Sequence, residues 1–157
     1  MFNPKDFFEF IKELGSFACR HQEAKKRVIV SRMYYAPFLM IRGILKTKLQ
    51  STPVKSWFDV LYTDSCIHGV VMEALEVSDI HTRNLLHTLR RKRNDADYKL
   101  RSKNWDREIG DVTPIANELI VNTTSNLPQK FSEHISAIQD IVEKWFIRKS
   151  KRYQQDS

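Results

Sequence analysis

Apolar residues recur every three to four positions along most of the chain, the rhythm of helices that each bury one face. Asn3-Pro4 supplies a capping side chain and a first-turn proline. Phe7, Phe10, Ile11, Leu14 and Phe17 follow, giving a first helix that ends near His21. The spacing predicts a second helix over residues 23–49 with Val30, Tyr34, Phe38, Ile41 and Leu45 inside, and with Pro37 removing one backbone bond within it. The loop at residues 50–53 breaks the pattern, and Ser56 is placed to cap a third helix carrying Phe58, Leu61, Tyr62, His68, Met72 and Leu75. A fourth helix starts after Ser78-Asp79, with Ile80, Leu85, Leu86 and Leu89 as its apolar positions. Residues 99–107 read as a polar, basic connection. A fifth helix covers residues 112–121 behind the pair Thr113-Pro114, and Asn126-Leu127-Pro128 ends it. Phe131, Ile135, Ile138, Val142 and Trp145 mark the last helix, which runs into a frayed basic tail.

This pattern predicts an all-α fold, an up-and-down bundle of about five to six helices. It forms a single domain over residues 1–157 with a basic tail from about residue 147. Four glycines and five prolines leave too few turns for an all-β chain, and 41% hydrophobic content is enough for a core without staples. Cys19 and Cys66 both fall in helix-like apolar segments and read as two buried free thiols of a reducing compartment, with a disulfide between them as the alternative. The N-terminal residues carry charges throughout and lack the pattern of a signal peptide, and no run approaches the length that spans a bilayer. The expected location is therefore the cytoplasm, with no membrane partner, and the sequon at Asn122 is a chance match.

The net charge of +7 permits partnership with nucleic acid without requiring it. Much of the excess lies between Arg90 and Arg107. There Arg90, Arg91, Lys92, Arg93, Lys99, Arg101, Lys103 and Arg107 face only Asp95, Asp97 and Asp106, a local excess of +5. Tyr98 and Trp105 are interleaved with these cations, a combination that suits single-stranded RNA, whose phosphates pair and whose bases stack. The same run equally fits a solvated surface with one aromatic turned into the core. Arg91, Lys92, Lys99, Arg101, Lys103, Trp105 and Arg107 are the RNA-binding candidates.

Within the fourth helix, advancing about 100° per residue from Leu86 puts Leu89 at about 300°, Arg93 at about 340° and Asp97 at about 20°. Arg93 thus lies on the apolar stripe, where a guanidinium needs a partner, and Asp97 is one turn on. Arg90, Asn94 and Tyr98 form the polar strip beside that pair. A salt bridge that fixes helix register and an active site both fit this arrangement. His68 on the third helix is a supporting candidate, although a lone His beside Gly69 is more often a core residue. His81, His87 and His134 lack ligand-spaced neighbours, so neither metal nor cofactor is expected.

Three segments together resemble the HEPN domain family. Ser31-Arg32-Met33-Tyr34-Tyr35-Ala36-Pro37-Phe38 is similar to its second-helix signature, and residues 68–75 are similar to its third-helix segment. Leu89-Arg90-Arg91-Lys92-Arg93-Asn94-Asp95-Ala96-Asp97-Tyr98 resembles an Arg-Asn-x-Ala-Asp-Tyr form of its fourth-helix motif. The resemblance implies a helical bundle that dimerises. Active members are metal-independent ribonucleases that use Arg, a polar residue and a following His from two chains. Other members are toxins, partners of small nucleotidyltransferases, or phage-defence proteins.

Carried over, Arg93 matches the motif arginine and Asn94 the polar residue. Tyr98 stands at the shortest-spacer position of the histidine, and no His follows until His134. A phenol ordinarily titrates near ~10 and is a poor base at neutral pH. The resemblance therefore implies a dimeric RNA-associated or partner-binding module of a toxin–antitoxin or defence-type system that lacks the usual histidine. A nucleotidyltransferase or another protein is the expected partner besides RNA. The alternative is a metal-independent endoribonuclease that uses Arg93, Asn94 and Tyr98 with a non-standard acid–base group, supported by Asp97, Arg90 and His68.

Overall fold

In the computed structural model, residues 4–99 and 103–155 are described, so the Asn3 cap and Arg101 lie outside the described residues. The described chain is all-helical, with eight helices rather than five or six: α1 (Pro4–Leu14), α2 (Gln22–Leu49), α3 (Lys55–Tyr62), α4 (Ile67–Ser78), α5 (Ile80–Tyr98), α6 (Trp105–Ser125), α7 (Leu127–Glu133) and α8 (Ile135–Gln155). The extra helices come from two short breaks, and at the first of them the buried face changes, from Phe58 and Leu61 of α3 to Ile67, Val70, Val71 and Ala74 of α4. The expected third helix is α3 plus α4, interrupted where the Asp64 carboxylate accepts the Cys66 amide at 2.9 Å. The expected last helix is α7 plus α8, which meet at His134.

Several boundaries also move. α1 stops at Leu14 because Gly15 and Ser16 donate three-residue bonds back to Lys12 and Glu13. Its buried residues are Phe8 and Ile11, while Phe10 and Phe17 are exposed. No side chain caps α3, and Val54 rather than Ser56 stands at its start. α6 begins at Trp105, seven residues before the expected start, because the Asn104 side chain accepts the Arg107 amide. Pro114 consequently lies inside α6. In the expected frayed tail, helix continues to Gln155.

The chain divides into two compact units. The first takes residues up to Met40 together with Asn84–Thr124, and the second takes Ile41–Arg83 together with residues from Ser125 onward. In the first unit, Val30, Tyr34 and Phe38 of α2 are buried as expected, with Leu86, Leu89 and Ala96 of α5 and Trp105, Val112 and Leu119 of α6. Arg27 ties these helices together. It donates to the carbonyls of Ala96 at 3.1 Å and Lys99 at 2.8 Å at the end of α5, and its guanidinium lies over the Trp105 ring.

In the second unit, α8 packs against α3, α4 and α7. Trp57 stacks on Phe146 with ring centroids 5.5 Å apart. Gly69 leaves the α4 backbone bare where the Trp145 ring rests, since a methyl at that position would overlap the indole. Asp79 starts α5 by accepting the amide and hydroxyl of Thr82, and it pairs with Lys130 at 2.8 Å.

One expectation about membranes changes. An 18-residue window of α2 is long and apolar enough, by length and composition, to cross a bilayer, with a mean hydropathy of 1.3. Since 61% of that window is buried inside the structure, its apolar character is that of a core helix.

Candidate functional site

The candidate site is built in the first unit, where α5 meets α2 and α6. Its centre is Arg93, whose Nε lies 2.6 Å from Asp97 Oδ2, both side chains about a quarter exposed or less. The Nε–H is not aligned for a hydrogen bond, so the contact is an ion pair, while Nη1 donates to Asn94 Oδ1 at 3.2 Å. The pair therefore sits on the shoulder of the apolar stripe, with Ala96 and Leu89 occupying the fully buried positions beside it.

Two tyrosines lie within cation–π reach of this guanidinium. Its carbon lies 5.3 Å from the Tyr35 ring centre and 5.6 Å from that of Tyr98. Arg32 lies 5.2 Å from the same Tyr35 ring, so Tyr35 stands between two arginines from different helices. Tyr98, at the open end of this series, is 71% exposed. Tyr34 stacks on Phe38 and lies edge-on to Tyr35. Burial pushes the Tyr34 phenol well above its ordinary range, against the opposing pull of Arg90 and Arg93. Tyr34 is thus a neutral hydrogen-bonding group at any physiological pH, and Arg90 stands close enough to feel it.

The basic run is divided by its ion pairs. Lys92 pairs with Glu108 at 2.7 Å and Asp111 at 3.6 Å, Lys103 with Asp95 at 2.7 Å and Glu108 at 3.8 Å, and Lys99 with Asp95 at 2.5 Å. Bonds from Lys103 and Lys99 hold the Asp95 carboxyl below the usual range, and the Asp95 bond in turn raises the Lys103 ammonium. Three lysines expected to meet RNA are therefore engaged by carboxylates, two of which come from α6 beyond the segment whose charge predicted the patch. Arg91 and Arg107 are exposed and make no ion pair among the described residues. Arg91 lines a cavity of about 240 Å³ with Thr88, Lys92 and Asp95.

Trp105 requires a correction. It is 4% exposed, with Arg27 above its ring at 4.8 Å, so it belongs to the core and offers no face to a base. His68 lies on α4, in the second unit. Tyr35 and Arg32 were not among the expected site residues. Their only signal was the Arg-x-x-Tyr spacing within the second-helix signature, which says nothing about the cross-helix contact with Arg93. Among the described residues, no group of three His, Cys, Asp or Glu side chains is placed to hold a metal ion.

Chemically, the arrangement is an arginine held in place by a carboxylate and two aromatic rings, with guanidinium N–H groups left over for an oxyanion. The exposed Tyr98 ring beside it provides a stacking surface.

Comparison with known proteins gives one full-length relationship. The chain is 32% identical over 150 residues to uncharacterized protein MJ0628 of Methanocaldococcus jannaschii, covering 90% of each chain. No protein-family model matches the chain. No solved structure matches it.

Proposed function

We propose that this chain, which belongs to the family of that Methanocaldococcus jannaschii protein, is a HEPN-like, RNA-associated module that binds single-stranded RNA through α5 without cleaving it alone. The observation that carries this reading is Arg93 within cation–π reach of both Tyr35 and Tyr98 while paired with Asp97. A guanidinium so restrained meets a phosphate at little further entropic cost, and the exposed phenol ring next to it stacks on a base. Arg91 and Arg107, free of carboxylates among the described residues, add charge. The paired lysines add little until RNA competes for them.

The absence of a histidine after Arg93-Asn94 until His134 supports binding over cleavage. Tyr98 at that place donates or accepts a hydrogen bond but does not shuttle protons at neutral pH. A dimer, cytoplasmic location and a role in a toxin–antitoxin or defence system belong to the same reading and rest on the resemblance of the three helix segments.

The test is fluorescence anisotropy of a labelled single-stranded RNA titrated with the full chain at several salt concentrations. Binding that weakens steeply with salt and is reduced at least tenfold by Arg93→Ala, with the RNA intact on a denaturing gel, is the expected result. Cleavage in the presence of a chelator points instead to the metal-independent endoribonuclease. Absence of RNA binding, with a stable complex formed with a co-encoded nucleotidyltransferase, replaces the proposal with the partner-binding module.

A further inference from the structure

A second polar cavity lies wholly within the second unit and has no part in the α5 reading. It measures about 280 Å³ and is lined by the turn Asp64-Ser65-Cys66 ahead of α4 and by Trp145, Arg148, Lys149 and Arg152 of α8. The four α8 residues share a face because they are spaced at three, four and seven positions. Three cations and one carboxylate line the cavity.

The carboxylate is already satisfied. Asp64 Oδ2 lies 2.6 Å from Lys149 Nζ and Oδ1 accepts the Cys66 amide at 2.9 Å. These bonds hold the Asp64 carboxyl far below its usual range, so it stays charged and fixes Lys149 in position. Burial, seconded by Asp64, pushes the Cys66 thiol up to about 11, which keeps that wall neutral at physiological pH. Arg148 and Arg152 are exposed, one turn apart, and pair with no carboxylate among the described residues. Arg148 is also held 5.7 Å from the Trp145 ring centre. The indole Nε1–H of Trp145 is shielded from solvent and has no hydrogen-bond acceptor among the described residues.

Two guanidiniums free of carboxylates at helical spacing and an ammonium anchored by its own carboxylate form a set with donors to spare and a net charge of +2. We propose that this cavity binds a phosphate group, with Arg148 and Arg152 as its principal ligands and Lys149 as an anchored third cation. A phosphate dianion balances that charge, and its tetrahedral oxygens accept from donors arriving from several directions. The Trp145 ring lies against Gly69 and within cation–π reach of Arg148, so part of its surface is already taken. The recognised chemistry is the phosphate itself, whether free or at the end of a nucleic-acid strand.

The test uses the full chain and its three tryptophans as reporters. Inorganic phosphate is titrated into ¹⁵N-labelled protein at matched ionic strength, against sodium chloride as control. The expected result is a saturable shift of the Trp145 indole resonance with those of Trp57 and Trp105 unmoved, weakened at least tenfold in the double variant Arg148→Gln/Arg152→Gln. Parallel titrations with a 5′-phosphorylated RNA tetramer and its 5′-hydroxyl counterpart identify the source. A Trp145 shift with the phosphorylated oligomer alone assigns a strand terminus, and a shift with inorganic phosphate but neither oligomer assigns the free ion. No shift with any probe, equal shifts at all three indoles, an equal response to chloride, or an undiminished shift in the double variant overturns the proposal. Failure of RNA binding at Arg93 leaves these outcomes untouched, because the two sites are read by different residues.

Discussion

Arg93 of α5 reaches the Tyr35 ring of α2 at 5.3 Å while its own helix supplies Asp97 at 2.6 Å, so one guanidinium satisfies two helices. Removing it separates binding from stability. A partly exposed ion pair with a cation–π contact contributes about 1 kcal/mol, so Arg93→Ala lowers the unfolding free energy by about that amount and leaves the fold in place. Its effect on RNA affinity is larger, at least about tenfold, or roughly 1.4 kcal/mol. Arg93→Lys restores the charge but not the planar contact with two rings, and its RNA affinity stays near that of the alanine variant. Chemical denaturation and anisotropy on the same samples measure the two effects.

Gly69→Ala is expected to destabilise the chain, although alanine is the better helix former and Gly69 stands in the first turn of α4. The added methyl overlaps the Trp145 ring, which must shift together with the α8 face that carries it. The cost of such overpacking is about 1–3 kcal/mol, enough to reverse the sign. A lowered denaturation midpoint, with a displaced Trp145 indole resonance and an unmoved Trp105, checks both the size and the place of the effect.

These two sites differ in how readily the sequence discloses them. Arg93 and Asp97 are four residues apart on one helix, so periodicity alone brings them together. The buried face of α2 and the span of α5 are legible for the same reason, being long and regular. The break at His134 is hidden because the three-to-four rhythm resumes in phase on its far side. Across residues 63–66 the buried face instead changes to Ile67, Val70, Val71 and Ala74, a different set from the His68 and Met72 that the spacing picked out. Only the polar trio Thr63-Asp64-Ser65 marks that break. The contacts of Arg93 with Tyr35, Lys92 with Glu108 and Arg27 with Trp105 join separate helices, and spacing along one helix carries no information about them. The charge count over residues 90–107 therefore overstated the open patch. The acids that close it, Glu108 and Asp111, lie on α6, outside the segment counted and ahead of the helix start expected at residue 112.

The Cys66 thiol gives a pH-dependent readout of the α4 turn. With its pKa pushed up to about 11, only about one part in a thousand is thiolate at pH 8, against roughly a quarter for an ordinary thiol. Its reaction with Ellman's reagent is therefore expected to be slow and to climb steadily from pH 8 to 10 without a plateau, while Cys19, which is exposed, reacts first. Asp64→Asn removes the negative charge beside the thiol, which favours thiolate, so the profile moves to lower pH. The same aspartate contributes to acid stability. Its folded-state pKa is depressed, so the pairing with Lys149 stabilises fully above about pH 4 and is lost as the pH falls below that. The Asp64→Asn variant consequently shows a shallower loss of stability on acidification.

Tyr98→His tests whether the α5 constellation is a ribonuclease site lacking one group. Tyr98 is 71% exposed at the end of its helix, so the substitution changes stability by no more than about 0.5 kcal/mol. It puts an imidazole, which titrates near neutrality, at the position where the HEPN-like motif carries its histidine, one turn beyond Asn94 and next to the Arg93 guanidinium. The expected outcome is a gain of RNA cleavage in the presence of a chelator, maximal between about pH 6 and 8 and abolished by adding Arg93→Ala. A variant that binds RNA as well as the parent chain but leaves it intact shows that Arg93 and Asn94 are arranged for holding RNA and not for cutting it. The resemblance of this helix to the ribonuclease motif would then extend to its residues and not to its geometry.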